Sequence, residues 1–212
     1  MTATGRTTAE LVDEVLVAWF EDEADDRDDL PRGKRWFGGG EALDARLAER
    51  FAGAIDEAAR GDHDVALASP RGALALVVLL DQFPRNVHRG DARAFAYGDH
   101  ALAVAALALA RGHAEALPPV QRVFLALPFE HDESVESQRR AIALLEASSA
   151  AVPEGADERL GEFARAALSS AREHAEIVER FGRYPYRNAV LGRDSTDEER
   201  AWLESGAKRF GQ

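Results

Sequence analysis

The sequence contains no cysteine and only two lysines, Lys34 and Lys208, among its 212 residues. Without cysteine the chain has no disulfide, thiolate nucleophile, zinc ribbon or iron–sulfur cluster. The remaining basic residues are 24 arginines, and acidic residues outnumber basic ones by 38 to 26, which gives a formal net charge of -12. An acidic surface is a poor match for a phosphate backbone, so we expect no nucleic acid partner.

Long apolar runs are also absent. The most apolar segments, residues 72–80 and 101–110, are each about ten residues long, whereas a transmembrane helix needs roughly 20. The first ten residues carry one base and no apolar core, which does not resemble a signal peptide. The sequence therefore predicts a soluble, cytoplasmic protein with no membrane partner.

Motifs for common cofactors are missing as well. There is no dinucleotide fingerprint, phosphate-binding loop or nucleophile elbow. Histidines and acids do not occur at the close spacing that metal-binding motifs have. We expect no metal and no cofactor.

What the chain does contain is alanine, 41 residues of it, with few valines or isoleucines, which favours helices over sheets. No segment alternates at period two for more than a few residues. The acidic residues 21–29 are expected to form a solvated loop. The sequence predicts an all-α fold in a single domain, residues 1–212. It is expected to be a TPR-like α-solenoid or a bundle of about eight to nine antiparallel helices. Helical spacing predicts these elements over residues 8–21, 43–61, 69–83, 99–111, 120–127, 133–147 and 156–181, and from 195 onward.

Prolines and short polar residues mark the expected helix ends. Pro84 and Pro128 are expected to end the helices before them, because proline lacks a backbone N–H and clashes with the preceding turn. The expected N-terminal caps are Ser69, Asp99, Asp132 and the capping-box pattern at residues 195–198.

Polar side chains directly follow the most apolar helix. They are Asp81, Gln82, Arg85 and Asn86. Buried polar groups need partners or water. Either these side chains satisfy free carbonyls at a helix C-terminus, or the helix delivers them into a binding pocket.

A second polar segment contains Glu130 and His131. A histidine between carboxylates can have a raised pKa or serve as a base that an acid orients. The alternative is that the acids of this segment favour a helix N-terminus, with Asp132 as its cap. A metal would need further ligands from elsewhere in the chain.

A third segment begins at His174, which shares a helical stripe with Ile177, Val178 and Phe181 and so faces inward. It is either a satisfied core histidine or a catalytic one. Residues 180–193 then carry four arginines and no acid. Guanidinium groups bind carboxylate or phosphate in bidentate fashion, although salt bridges to the abundant acids are the alternative.

Together these motifs resemble the bacterial domain of unknown function (DUF) 924 family. The matching segments are residues 79–86, residues 122–124 with 127–131, His174 with 180–193, the pairs Trp19-Phe20 and Trp36-Phe37, and residues 195–199. Ala18 stands where an aromatic residue is usual, and Asp132 follows His131 where a small hydroxyl residue is usual. The resemblance implies an all-helical, TPR-like fold and no established activity.

Two functions remain open. The first is binding of a small anionic molecule or an acidic peptide in a groove. Its candidate residues are Arg85, Arg183 and Arg187 as an anion clamp, Gln82, Asn86 and Asn188 for orientation, and Trp19, Trp36 and Tyr184 as apolar lining.

The second is a hydrolase or transferase that acts on a phosphorylated or carboxylated small molecule by general acid–base chemistry. His131 or His174 would move protons, Glu130 would orient the imidazole, and Arg85 or Arg183 would stabilise negative charge. Binding is favoured, because no activated nucleophile is visible in the sequence.

Overall fold

The computed structural model of the chain describes residues 5–21, 36, 40–208 and 210. Within these residues there are helices and no β-strand. Besides short 3₁₀ turns, the eight helices of the described residues are α1 (Thr8–Leu16, followed by a π-helical turn, Val17–Glu21), α2 (Glu41–Ala59), α3 (Pro70–Val77, a π-helical turn Val78–Gln82, and Phe83–Val87), α4 (Gly98–Ala110), α5 (Pro119–His131), α6 (Val135–Ala150), α7 (Glu158–Phe181) and α8 (Asp197–Glu204). The predicted all-α fold is confirmed, and its TPR-like arrangement stays a prediction.

The helix α3 is the centre of the core, as its apolar sequence predicts. All residues from 72 to 84 are buried, and α3 packs against α1, α2, α4 and α5. The helices α5, α6 and α7 pack against one another beside this centre. No helix in the described part of the chain is long and apolar enough to span a membrane.

Local capping explains several helix ends. The Ser69 hydroxyl accepts a hydrogen bond from the Gly72 N–H, as predicted for the start of α3. The capping box of α8 lies one residue later than predicted, because Thr196 and Glu199 form it. Gly182 ends α7 with a φ of 69°, a conformation that glycine adopts without strain.

The two prolines do not end their helices, so that prediction was wrong. Before Pro84 the helix widens into the π-helical turn. Pro84 then lies in the first turn of the α-helical segment Phe83–Val87, where its missing N–H costs little. Pro128 lies inside α5, which continues to His131. The buried side chains around Pro128 stabilise this turn against the lost hydrogen bond.

Two predicted caps were also wrong. The N-cap of α4 is Tyr97, so Asp99 lies in the first turn, where the helix dipole still favours an acid. Asp132 is the C-cap of α5, and Ser134 precedes α6. Residues 22–29 of the acidic segment, and Phe37, lie outside the described residues.

Candidate functional site

Asp81 lies in the π-helical turn of α3 and is only 2% exposed. Its two carboxylate oxygens are each 2.8 Å from Nδ1 of His131 on α5. Gln82 Nε2 donates to Oδ2 at 2.6 Å, and Nε and Nη2 of Arg85 lie 3.4 Å from Oδ1. The carboxylate therefore joins a histidine, an amide and a guanidinium at the end of the buried helix.

The charge states of this cluster follow from its surroundings. Burial raises the pKa of Asp81, but His131 and Arg85 lower it more, so this pKa lies well below its usual range. Burial and the charge of Arg85 lower the pKa of His131 to about 4, against the opposing effect of Asp81. At pH 7 Asp81 is ionised and His131 is neutral.

The hydrogen bond to Asp81 also fixes the tautomer of His131. Nδ1 carries the proton that it donates to the carboxylate, so Nε2 has the lone pair. No residue in the described ranges donates a hydrogen bond to Nε2. The His131 side chain is 16% exposed, against 1% for Asp81. The basic nitrogen therefore belongs to the more accessible member of the pair.

A second histidine–carboxylate pair lies beside the first. His174 Nδ1 on α7 is 2.9 Å from Oε1 of Glu130 and 2.9 Å from the Ser170 carbonyl oxygen. The Ser170 hydroxyl also donates to Glu130. The ring centroids of His131 and His174 are 6.5 Å apart. The sequence expected Glu130 to orient a histidine, and the histidine within its reach is His174.

Arg187 approaches the site from the 3₁₀ turn Pro185–Arg187. It is 5% exposed, and its Nη1 donates to the His131 carbonyl oxygen at 2.8 Å. Its guanidinium carbon lies 4.2 Å from the ring centroid of Tyr184 and 4.9 Å from that of Phe95. The guanidinium carbon of Arg85 lies 5.3 Å from the centroid of the same Phe95 ring. The two arginines are thus neighbours.

The guanidinium of Arg187 lies against three aromatic rings, and one of its nitrogens has no hydrogen-bond partner. Its Nε is buried without a hydrogen-bond partner. Burial and the charge of Arg85 lower the pKa of Arg187. The nearest carboxylate oxygen, Oε1 of Glu133, is 4.0 Å from Nη1 and already accepts a hydrogen bond from Arg193.

Arg183 and Asn188 lie in a different cluster. Arg183 donates two hydrogen bonds to Glu199, at 2.7 and 2.8 Å, and one to the Asp194 carbonyl oxygen. Asn188 donates to Ser195 and to Glu199. These bonds connect the end of α7 and the turn after it to α8.

Three other candidates donate hydrogen bonds to backbone carbonyl oxygens. Asn86 donates to the carbonyl oxygen of Gln82 in its own helix. Trp36 is buried, and its Nε1 donates to the Trp19 carbonyl oxygen. The buried Tyr184 hydroxyl donates to the Glu130 carbonyl oxygen, while its ring faces Arg187.

The structure thus brings some predicted residues together and separates others. Gathered at one place are Gln82, Arg85, Glu130, His131, His174, Tyr184 and Arg187. Asn86, Asn188, Arg183 and Trp36 bond elsewhere. The sequence did not single out Asp81 as the acid that orients His131, although a carboxylate that directly follows an apolar run was the available signal. Tyr186 and Phe95 carried no comparable signal.

The cluster does not have the donor set of a metal centre. In the part of the chain that the structure describes, no three histidine, aspartate or glutamate side chains lie close enough together to hold a metal ion.

Comparison with known proteins agrees with the motifs. The model of the family described as "Bacterial protein of unknown function (DUF924)" matches residues 15–207. The chain is similar to the solved structure of a protein of unknown function from Agrobacterium tumefaciens, with 37% sequence identity and a TM-score of 0.78. The match covers 94% of this chain and 100% of that chain. No curated protein matches the chain. The chain belongs to the DUF924 family of bacterial proteins.

Proposed function

We propose that the protein binds a small anionic molecule at Arg85 and Arg187. The observation that carries the proposal is the buried Nε of Arg187, which has no hydrogen-bond partner. A buried donor without a partner costs free energy, more so when it is charged. A carboxylate or phosphate group would accept this hydrogen bond and offset the repulsion between the two guanidiniums.

The surroundings favour a small molecule over an acidic peptide. Arg187 is 5% exposed, and the Arg85 side chain is 12% exposed. A single anionic group reaches such buried donors more readily than the backbone of a peptide does. Rings of Phe95 and Tyr184 face the guanidinium of Arg187, which restricts the directions from which an anion can approach.

Tyr186 supplies a further donor next to Arg187. Burial raises the pKa of its hydroxyl to about 12, although Arg187 and Arg85 act in the opposite direction. The hydroxyl therefore keeps its proton at pH 7 and can donate it to an anion. Gln82 acts indirectly, because its amide is engaged by the Asp81 carboxylate.

The test is calorimetric titration with inorganic phosphate. We expect the wild type to bind phosphate. The variants Arg85→Gln and Arg187→Lys should each lose about tenfold or more in affinity, since each loses charge-assisted hydrogen bonds. Arg180→Gln is the matched control, because Arg180 is an exposed arginine paired with Glu198.

Two results would overturn the proposal. One is a wild type that binds neither phosphate nor acetate at millimolar concentration. The other is an equal loss of affinity in the Arg180→Gln control, which would indicate general electrostatic attraction instead of a site. Binding of an acidic peptide without binding of phosphate would favour the peptide alternative. Circular dichroism of each variant verifies that it is folded.

A further inference from the structure

We propose that His131 is a general base at this anion site, with Asp81 as its positioning residue. In the step that we infer, Nε2 accepts a proton from a water molecule or hydroxyl group beside the bound anion. The O–H bond breaks, its electron pair stays on the oxygen, and the proton bonds to the Nε2 lone pair. The proposal rests on the anion-binding function argued above.

The geometry of the pair carries this inference. The Nδ1 of His131 faces both oxygens of Asp81 at 2.8 Å, so the lone pair must lie on Nε2. Proton transfer to Nε2 creates an imidazolium. The Asp81 carboxylate favours its charge, while burial and the nearby Arg85 disfavour it. Hydrogen bonds from Gln82 and Arg85 hold the carboxylate itself in place. The hydrogen bonds between Asp81 and His131 prevent rotation of the imidazole ring. They also disfavour the tautomer with its proton on Nε2.

Accessibility distinguishes the two histidines. The His174 side chain is 6% exposed, and the ring centroid of Phe210 lies 3.7 Å from that of its imidazole. The His131 side chain is 16% exposed. His174 therefore packs as a core residue that joins α7 to Glu130, whereas His131 can meet a bound molecule.

The neighbouring arginines complete the chemistry. Arg187 bonds to the His131 carbonyl oxygen, and Arg85 bonds to the carboxylate that orients its ring. Negative charge that develops on the deprotonated oxygen would lie near these two guanidiniums, which favours it. A fitting ligand is a small phosphorylated or carboxylated molecule that has a hydroxyl group, or a bound water molecule, next to its anionic group. The charged and titratable groups around His131 are Asp81 and Arg85 on α3, Glu130 on α5, His174 on α7 and Arg187 in the 3₁₀ turn.

The first measurement is the tautomer of His131 in the folded wild type at pH 7, from long-range ¹H–¹⁵N spectra of the imidazoles. His131→Gln assigns the signal by its disappearance. We expect a neutral ring with a protonated Nδ1 and a bare Nε2. A ring with its proton on Nε2, or a fully protonated ring, would overturn the proposal. The variant serves only to assign the signal, and the tautomer itself is measured in the wild type.

The second measurement is acylation by diethyl pyrocarbonate, which attacks unprotonated imidazole nitrogens, followed by mass spectrometry of the peptides. We expect His131 to react faster than His174, and phosphate to protect it. Asp81→Asn should slow the reaction by about tenfold or more, because a charge-assisted hydrogen bond no longer fixes the tautomer. Asp13→Asn, an exposed aspartate paired with Arg71, is the control.

The outcomes separate the two proposals. If His131 reacts no faster than His174, or if phosphate binds without protecting it, the base assignment is wrong while anion binding stands. If phosphate does not bind in calorimetry and His131 nevertheless reacts fast, the anion-binding proposal is wrong. The reactive His131 would then not act on a molecule bound through Arg85 and Arg187. Fast reaction, protection and sensitivity to Asp81→Asn together support the base at the anion site.

Discussion

The Asp81 carboxylate on α3 contacts the His131 imidazole on α5, although the two residues are 50 positions apart in the sequence. The Nδ1 of His131 lies 2.8 Å from each carboxylate oxygen. Helix α3 widens into a π-helical turn where it carries Asp81. Such turns often occur at functional sites. The turn also moves Pro84 to the start of a new α-helical segment, so one local irregularity places the acid and lets the chain continue to Arg85.

Asp81→Ala is expected to destabilise the fold by about 3 kcal/mol or more, because it leaves buried partners without their carboxylate. Arg85, Gln82 and His131 would each lose a hydrogen bond. Urea unfolding measures the change. Asp13→Ala removes an exposed ion pair with Arg71 and should change stability by less than about 1 kcal/mol. A loss in Asp81→Ala as small as that control would contradict this account of the cluster.

The pH dependence of stability should reveal His131. Its pKa is about 4 in the folded chain against 6.5 for the ordinary group. The unfolded chain therefore binds this proton first, and the fold loses stability as pH falls from about 6.5 to about 4, by up to roughly 3 kcal/mol. His131→Gln should flatten this part of the curve of unfolding free energy against pH.

The comparison is one of slopes, since His131→Gln also removes a hydrogen bond at every pH. An unaltered slope in His131→Gln would mean that the folded and unfolded chains bind this proton equally well. That result would contradict a neutral His131 at pH 5.

The sequence predicted the helices and the polar segments but not how those segments combine. Periodicity and caps identify each helix because they depend on neighbours within one or two turns. The pairing of Asp81 with His131, and of Glu130 with His174, depends on how α3, α5 and α7 pack. That packing joins positions more than 40 residues apart and has no local signal.

The different surroundings of Arg183 and Arg187 could not be predicted from the sequence either. Residues 180–193 contain four arginines and no acid, so the sequence treated Arg183 and Arg187 alike. In the structure Arg183 bonds to Glu199, and Arg187 is buried against aromatic rings with an unpartnered Nε. The difference arises from the turn after Gly182, which directs the two side chains to different neighbours.

Gly72 should tolerate no side chain. A Cβ atom there would lie 2.1 Å from the Ala66 carbonyl oxygen, which belongs to the backbone of a 3₁₀ turn. Gly72→Ala would push α3 away from that turn and cost about 2 kcal/mol or more in unfolding free energy. Gly98→Ala is the matched helical control, since a Cβ atom there meets nothing within 4 Å. It should be neutral or stabilise by up to about 1 kcal/mol, and equal effects at both positions in thermal unfolding would contradict the close contact.

Arg183→Gln should separate the docking of α8 from binding. Arg183 is the main reason that the pKa of Glu199 is lowered to about 2, and Glu199 also caps α8. Loss of the Arg183 guanidinium should leave the Glu199 carboxylate without its main partner. Amide hydrogen exchange should therefore accelerate in α8, Asp197–Glu204. Phosphate affinity in calorimetry should change by less than about twofold, because Arg183 contacts neither Arg85 nor Arg187.

Arg180→Gln, which removes only an exposed pair with Glu198, should alter neither measurement. Loss of phosphate binding with unchanged exchange in α8 would instead place Arg183 in the anion site and restore the clamp of three arginines that the sequence predicts.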